Sequence, residues 1–464
     1  MSAKTASRSM SQQKLHLQLR LLKVTLACFS LGLLCITWRL WIPQTRFPQV
    51  PLFSSIFNLP TSIDWLTLTS MVVSSLLVLG MVFTSWFLQR QDREFCQTGQ
   101  QICGGLFFFA FLISIAFDQH RIQPWAYQFA VGFLLLTCLK PPRAIRLFRL
   151  FVISIYFYSA LSKCDASFLQ TLGPQLVKGL FTGIGVSTAY WSERTLTLIA
   201  ASFSVAEFLI AVGLLIPRTR QWTFWAVVSM HACLILAVGP WGLNHHGGVL
   251  IWNIYFIIQD LILFSGLFGL ARSGEASISQ ADFSLSFQHR SGREKSIMTV
   301  AWFVMLAPLL EPTGYFDHWP AWGLYASSHD RVTLLVDEEE KWKLPPALQP
   351  FIDPPRPLSS WCRVRVDRWS LAELGAPVYP QARFQLGAAI AVCRISEQDH
   401  ENGSQQPQVR LLFESAAHRL TGKRKISEYT GLTQIEPLTQ RFWFNARPRP
   451  FDLGENDSLA TEEN

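Results

Sequence analysis

The chain has 464 residues. Half are hydrophobic and 13% aromatic, and only 16% are charged, against about 25% in an ordinary soluble domain. The deficit is confined to residues 21–311, which read as repeated apolar runs, whereas 312–464 has soluble composition, so a wholly soluble globular protein is excluded. The net charge of +8 does not point to nucleic acid: most Lys and Arg of the first 311 residues fall in short loops between apolar runs, where they act as topology signals, and no nucleic-acid-binding module is visible.

Residues 1–20 form a basic tail with Lys4, Arg8, Lys14 and Arg20. The apolar run that follows is too long for the core of a cleavable signal and ends in "TWRLW", so it reads as a retained span with Arg39 snorkelling at the far interface. A helix needs about 20 apolar residues to cross the hydrocarbon. Nine segments qualify, at 21–42, 65–88, 100–117, 124–140, 144–162, 195–216, 221–240, 248–270 and 296–311; the third, fourth, fifth and ninth are short. With the N-terminus cytoplasmic, the loops on that side hold seventeen Lys and Arg and the opposite loops six. Nine is odd, which puts everything after residue 311 outside.

Two connections are longer. Residues 163–194 are expected outside as an interfacial helix or re-entrant segment, and 271–295 as a polar cytoplasmic loop. The segment "EPTGYFDHWPAWGLYASSHDR" (311–331), rich in Trp, Tyr, Phe and Pro, predicts a stiff collar docking the tail on the membrane, with Asp317, His318 and His329 within reach of the same surface. In the tail domain, 312–450, strand-like alternation marks 331–336, 361–366, 408–413 and 441–446, and 381–396 predicts a helix. Residues 451–464 are acidic and predict a disordered end. The expected fold is thus an all-α polytopic membrane bundle of about nine transmembrane helices with a C-terminal extracytoplasmic β-rich or α+β domain. Of nine cysteines, five lie in apolar runs as small hydrophobes and none forms a C-x-x-C; Cys362 and Cys393, both in the tail, either pair or stay free.

Ionisable residues deep in a membrane are costly and need a reason. Glu207, His231 and Asp260 fall near the middle of three consecutive antiparallel spans, and Asn253 lies seven residues before Asp260 on the same helical face. Converging at one depth, the trio would relay protons or bind the polar head of a quinone-like group; the plainer reading is a hydrogen-bonded network holding three helices together. A metal is ranked low because no E-x-x-H spacing occurs. A second constellation comes from outer span ends: Asp118, His120 and Arg121, then Lys163 and Asp165, then Asn244, His245 and His246. It would form a rim binding an anionic substrate, or an interfacial belt only. For the adjacent His245 and His246 the interfacial turn is favoured over a ligand pair.

At "YFYSALSKCDASFL" (156–169) followed by "AEFLIAVGLLIPRTR" (206–220), a helix ends in a tyrosine-rich turn with Lys, and the next carries Glu and runs through Gly-Leu-Leu into a basic turn. Over residues 144–270 this resembles the four-helix membrane unit of the DoxX/MauE-like proteins and the related HTTM region of vitamin K-dependent carboxylase-like proteins. Residues 21–143 would then be additional N-terminal transmembrane helices. The resemblance implies redox-associated or base-assisted chemistry at the outer face, with Lys163 and Glu207 as the matching positions. The chain departs from a thiol-redox pattern in having no redox Cys pair. Two other classes stand beside this reading: a transporter or channel-like subunit with a proton relay, and a scaffold anchoring a domain that binds an extracytoplasmic protein partner. The expected partner in every case is the lipid bilayer.

Overall fold

The computed structural model describes residues 3–87, 90–267, 291–398 and 408–450. The expected cytoplasmic loop up to residue 290 and the acidic end 451–464 lie outside the described residues. Twelve helices longer than two turns are numbered here, single turns being left unnumbered: α1 (Ala3–Ile36), α2 (Ser62–Thr84), α3 (Arg90–Phe117), α4 (Pro124–Cys138), α5 (Pro141–Ser162), α6 (Leu172–Gly183), α7 (Glu193–Leu215), α8 (Arg220–Val238), α9 (Gly247–Phe264), α10 (Gly292–Leu306), α11 (Val366–Leu374) and α12 (Ala382–Gln398).

Eight of these, α1–α3, α5, α7–α9 and α10 with its 3-10 extension to Thr313, contain a stretch long and apolar enough to cross a membrane. The expected span at 124–140 is the exception. Its helix, α4, has 15 residues, a rise of about 22 Å against a hydrocarbon core of about 30 Å. All of its residues but Tyr127 are buried, because it is packed among α1, α3, α5 and α10. A helix sheathed in protein need not match the thickness of the lipid. Its limits are set by proline: Pro124 starts α4, and Lys140 in extended conformation leads into Pro141, the first residue of α5. α9 ends at Phe264, short of the expected 270; residues 268–270 lie outside the described residues.

The helices close a ring of which the buried α4 is a member. The order of packing is α1 on α2, α2 on α3, α3 on α4, α4 on α5, α5 on α7, α7 on α8, α8 on α9, and α9 back on α1. The segment 163–194 supplies α6, which lies across α7 and α8. At Gly179 a Cβ would come 2.5 Å from the Ala237 carbonyl oxygen, so only glycine permits this approach.

The tail is α+β. Its antiparallel sheet has the order β2-β1-β3-β4, from β1 (Arg331–Asp337), β2 (Trp361–Val364), β3 (Val409–Glu414) and β4 (Ile426–Thr430). Helix α12 packs on β1 and realises the helix expected at 381–396. Three strands fall where alternation placed them. The fourth does not: 441–446 is a 3-10 end followed by irregular chain, and the sheet takes "ISEYT" instead. That stretch is mostly solvent-exposed and has little apolar alternation, so it forms an edge strand that carries no burial signal. Cys362 and Cys393 are both buried, and no disulfide joins them.

The tail is bonded to one end of the bundle. Gln119 Nε2 donates to the Asn445 carbonyl at 2.7 Å, and its Oε1 accepts from Arg383 Nε at 2.6 Å. Arg383 also pairs with Asp317 of the collar, which accepts from the Tyr379 hydroxyl as well. The Ala166 N–H donates to the Arg419 carbonyl at 2.7 Å, and Ser167 Oγ to the Ser327 carbonyl at 3.0 Å. Phe47 packs on Trp369 with ring centroids 4.6 Å apart.

Beneath this joint lies a fully buried ion pair. Arg121 donates from Nη1 to Asp64 Oδ1 at 2.5 Å, from Nε to the Leu40 carbonyl at 2.9 Å and from Nη2 to the Ile42 carbonyl at 3.0 Å. It therefore ties the start of α2 to the chain leaving α1. Breaking a buried pair by removing one partner costs about 3–5 kcal/mol, because the other charge is stranded. Asp64→Ala is expected to lower unfolding stability in detergent by that order. The double replacement Asp64→Leu with Arg121→Met should recover most of it, as read by the thermal unfolding midpoint.

Candidate functional site

The midspan residues are brought together, but not as a simple trio. Tyr156 of α5 stands between His231 of α8 and Asp260 of α9. Its hydroxyl donates to Asp260 Oδ2 and lies 2.8 Å from His231 Nε2. On the far side of the imidazole, Nδ1 is 2.8 Å from Asn253 Oδ1, and Asn253 Nδ2 donates to the Val249 carbonyl at 2.8 Å. Phe256 stacks on the imidazole with centroids 4.9 Å apart, fixing the ring plane. All of Tyr156, His231, Asn253 and Asp260 are buried.

A second branch reaches Asp260 from α4. The Trp252 indole N–H donates to Gln128 Oε1 at 2.7 Å, Gln128 Nε2 to Gln259 Oε1 at 3.1 Å, and Gln259 Nε2 to Asp260 Oδ1 at 3.4 Å. An indole can only donate, so it sets the orientation of each amide in turn and delivers an N–H to the carboxylate.

The same reasoning fixes the protons. The Val249 carbonyl only accepts, so Asn253 turns its oxygen toward His231, and Nδ1 must carry a hydrogen. The phenol has one hydrogen and two partners. When it donates to Asp260, Nε2 must present a second hydrogen, making an imidazolium beside a carboxylate. If that hydrogen passes to the phenol oxygen while the phenol hydrogen passes to Asp260, the result is a neutral imidazole and a carboxylic acid. Net charge is conserved, and the two hydrogen bonds of the phenol survive with their directions reversed.

Glu207 does not join this chain. It pairs with Lys163, which also donates to Ser159 Oγ at 2.7 Å. The pair is nevertheless a neighbour along the chain, since Lys163 is the C-cap of the helix that carries Tyr156. Tyr156, Ser159 and Lys163 fall at i, i+3 and i+7 of one helix, so a single face of α5 carries both groups. The polar site therefore runs from Lys163–Glu207 to Tyr156, His231 and Asp260. Tyr156, Gln128, Gln259 and Trp252 were not among the residues singled out from the sequence. The signal available for Tyr156 was its helical phase with Lys163.

The expected outer rim is not a rim. Arg121 is spent on Asp64 and two carbonyls. Asp118 is buried and caps the following 3-10 turn, accepting from the His120 N–H at 3.1 Å. His120 is enclosed under the tail, with Nε2 2.9 Å from the Pro377 carbonyl and 3.3 Å from Ser370 Oγ. Asp165 caps a helical turn through the Phe168 N–H at 2.7 Å. Asn244 adopts φ 51°, and the turn closes by donation from its N–H to the Gly239 carbonyl and from the His245 N–H to the Val238 carbonyl. His246 caps α9, with Nδ1 accepting from the Gly248 N–H at 3.3 Å, whereas His245 is exposed. The two imidazoles thus do separate jobs. At Gly375, in the left-handed region at φ 63°, a Cβ would lie 3.2 Å from the Ile36 carbonyl oxygen and 3.8 Å from His246 Nε2, so the tail also reaches this turn. These residues were expected to face an anionic substrate, but His120 lies under the docked tail, Arg121 is buried beneath it, and Asn244 and His245 stay exposed on the turn. Lys163 alone joins the polar site. His318 and His329 stand 5.0 Å apart by ring centroid, with His318 Nδ1 2.7 Å from Glu311 Oε1. Among the described residues, no three His, Cys, Asp or Glu side chains are grouped to hold a metal.

Comparison with protein families, with curated proteins and with solved structures finds no match.

Two groups in the joint titrate in opposite senses. Burial, aided by the Arg121 charge, lowers His120 from 6.5 to about 4 against the opposing Pro377 carbonyl. Burial raises Asp118 to about 7 despite Arg121 and two backbone N–H groups. Between pH 6.5 and 4 the unfolded imidazole binds a proton that the folded one refuses. The His120 contribution is therefore complete above 6.5 and is lost as pH falls toward 4. The Asp118 term has the opposite slope, so the imidazole is isolated by difference. His120→Gln should flatten the acid side of a pH series of unfolding midpoints, relative to wild type, by a difference approaching about 3 kcal/mol at pH 4.

Proposed function

We propose that this chain is a multi-pass membrane protein whose intramembrane polar site moves a proton along Asp260, Tyr156 and His231 in support of base-assisted or redox-associated chemistry at the outer face. The observation that carries the proposal is the Tyr156 hydroxyl bridging a buried carboxylate and a buried imidazole. A phenol so placed passes a proton in either direction without gaining or losing charge. The Lys163–Glu207 pair at the outward end of α5 supplies a cation for an anionic or quinone-like group. Those two residues are also the positions matched in the resemblance to DoxX/MauE-like and HTTM proteins, and their pairing supports that reading without establishing it.

In this proposal all nine apolar helices count as spans, with the buried α4 as the short one. The N-terminus is cytoplasmic and the tail extracytoplasmic in the cell membrane. Support comes from the Lys and Arg asymmetry of the loops. It also comes from the contact of the tail with the segments that precede α2, α4, α6 and α9, all of which that topology puts on one side.

Infrared difference spectroscopy of the protein in nanodiscs during an acid titration tests the relay. In the wild type a carboxylic acid band and an imidazole band should change together. Tyr156→Phe deletes one oxygen and keeps the ring, so folding is retained while the two bands titrate apart. Identical spectra for wild type and Tyr156→Phe would refute the relay. A proton-coupled transporter would use the same three groups. It predicts acid-driven proton entry into dye-loaded proteoliposomes that Tyr156→Phe slows by about 100-fold, whereas a site serving only outer-face chemistry predicts no such flux.

A further inference from the structure

The segment "RFWFNA" (441–446) has strand-like alternation yet joins no sheet, and the proposed function leaves it without a role. It runs along the joint, where the Asn445 N–H donates to the Leu52 carbonyl at 3.1 Å and Asn445 Nδ2 to the Pro51 carbonyl at 2.9 Å. Phe442 packs on the core, whereas Trp443 and Phe444 are exposed. Trp443 is 88% exposed and lies edge-on to Tyr315 at 6.1 Å, and Tyr315 is itself 67% exposed. The next residue, Phe444, lies edge-on to Phe53 at 6.0 Å.

Tyr315 follows the apolar stretch Gly292–Thr313 by two residues. That stretch presents exposed Phe303 and Leu309. A run of exposed aromatic residues therefore leads from Tyr315, just past the last span, to Trp443 and Phe444 of the tail and on to Phe53 ahead of α2. An exposed Trp–Tyr pair at the level where a span ends is where amphipathic rings prefer to sit, with the ring in the acyl boundary and the polar edge among headgroups.

We infer that residues 441–446 form a lipid-binding ledge through which the tail domain grips the bilayer interface, in addition to its contacts with the bundle. The occupant is the headgroup–acyl boundary of the membrane. The inference rests on the placement of the helical bundle in a bilayer and is independent of the proton relay.

A photo-crosslinking benzophenone amino acid placed singly at Trp443, Phe303 or Trp342 tests it, using the full chain in phosphatidylcholine–phosphatidylglycerol nanodiscs with adducts identified by mass spectrometry. Trp342 is 68% exposed and lies five residues beyond the end of β1 remote from the joint, which makes it the solvent control. Position 443 is expected to give lipid adducts within about threefold of position 303 and at least about tenfold above position 342, as an interfacial aromatic should. Adducts at 303 with only the level of 342 at 443 would overturn the ledge while leaving the bilayer placement intact, as would crosslinks from 443 to protein in place of lipid. Absence of lipid adducts at 303 would remove the bilayer placement and the ledge with it.

Discussion

A polar group enclosed among apolar helices has no water to fall back on, and every other feature of the bundle follows from that constraint. Seven side chains, from the Trp252 indole to the Asn253 amide, meet it by bonding in series. The two ends of the series are the decisive members: an indole that can only donate and a backbone carbonyl that can only accept. Between them each amide has one orientation and each nitrogen one role. What remains unfixed is a single proton shared by Asp260, Tyr156 and His231. A network satisfied this completely is rigid, and its one degree of freedom is chemical.

The Lys163–Glu207 pair obeys the same rule at lower depth. Lys163 follows the last turn of α5, where the helix dipole favours a cation, and reaches back along its own helix to Ser159 while meeting a carboxylate from α7. Beside the inner chain, whose imidazole and carboxyl group exchange charge for neutrality, it provides a pair of opposite charges. The site is therefore graded, from a charged end beside the C-terminus of α5 to a deeper end where charge is interchangeable with neutrality.

The tail is not an appendage on a linker. It covers His120, engages Gln119 on both amide atoms, and bonds to three separate connections of the bundle while Gly375 closes on a fourth. His120 and Arg121 show why charged residues at span ends are ambiguous. In sequence they look like a basic rim open to solvent, and in the fold they are buried fasteners. A short buried 3-10 turn, with its cap at Asp118, aims one side chain up into the tail and the other down onto Asp64.

Much was legible from residue order alone. Apolar length and period located the apolar part of every candidate span, although α1 and α3 begin well ahead of it, and alternation found three of four strands, because each of these depends on neighbours in the chain. The cost of intramembrane charge also singled out Glu207, His231 and Asp260. Sequence could not say which of them touch, since that depends on helix rotation and on uncharged partners. Tyr156, Gln128 and Gln259 carry no cost signal strong enough to stand out from apolar runs. β4 and the 441–446 segment exchanged identities because alternation reports two unlike faces and not what covers them. Composition thus determined that there is a membrane bundle, a soluble tail and a few residues too polar for their place. Tertiary structure decided their partners, because a hydrogen bond is satisfied by whatever atom lies within about 3 Å, and that distance is set by packing between helices far apart in sequence.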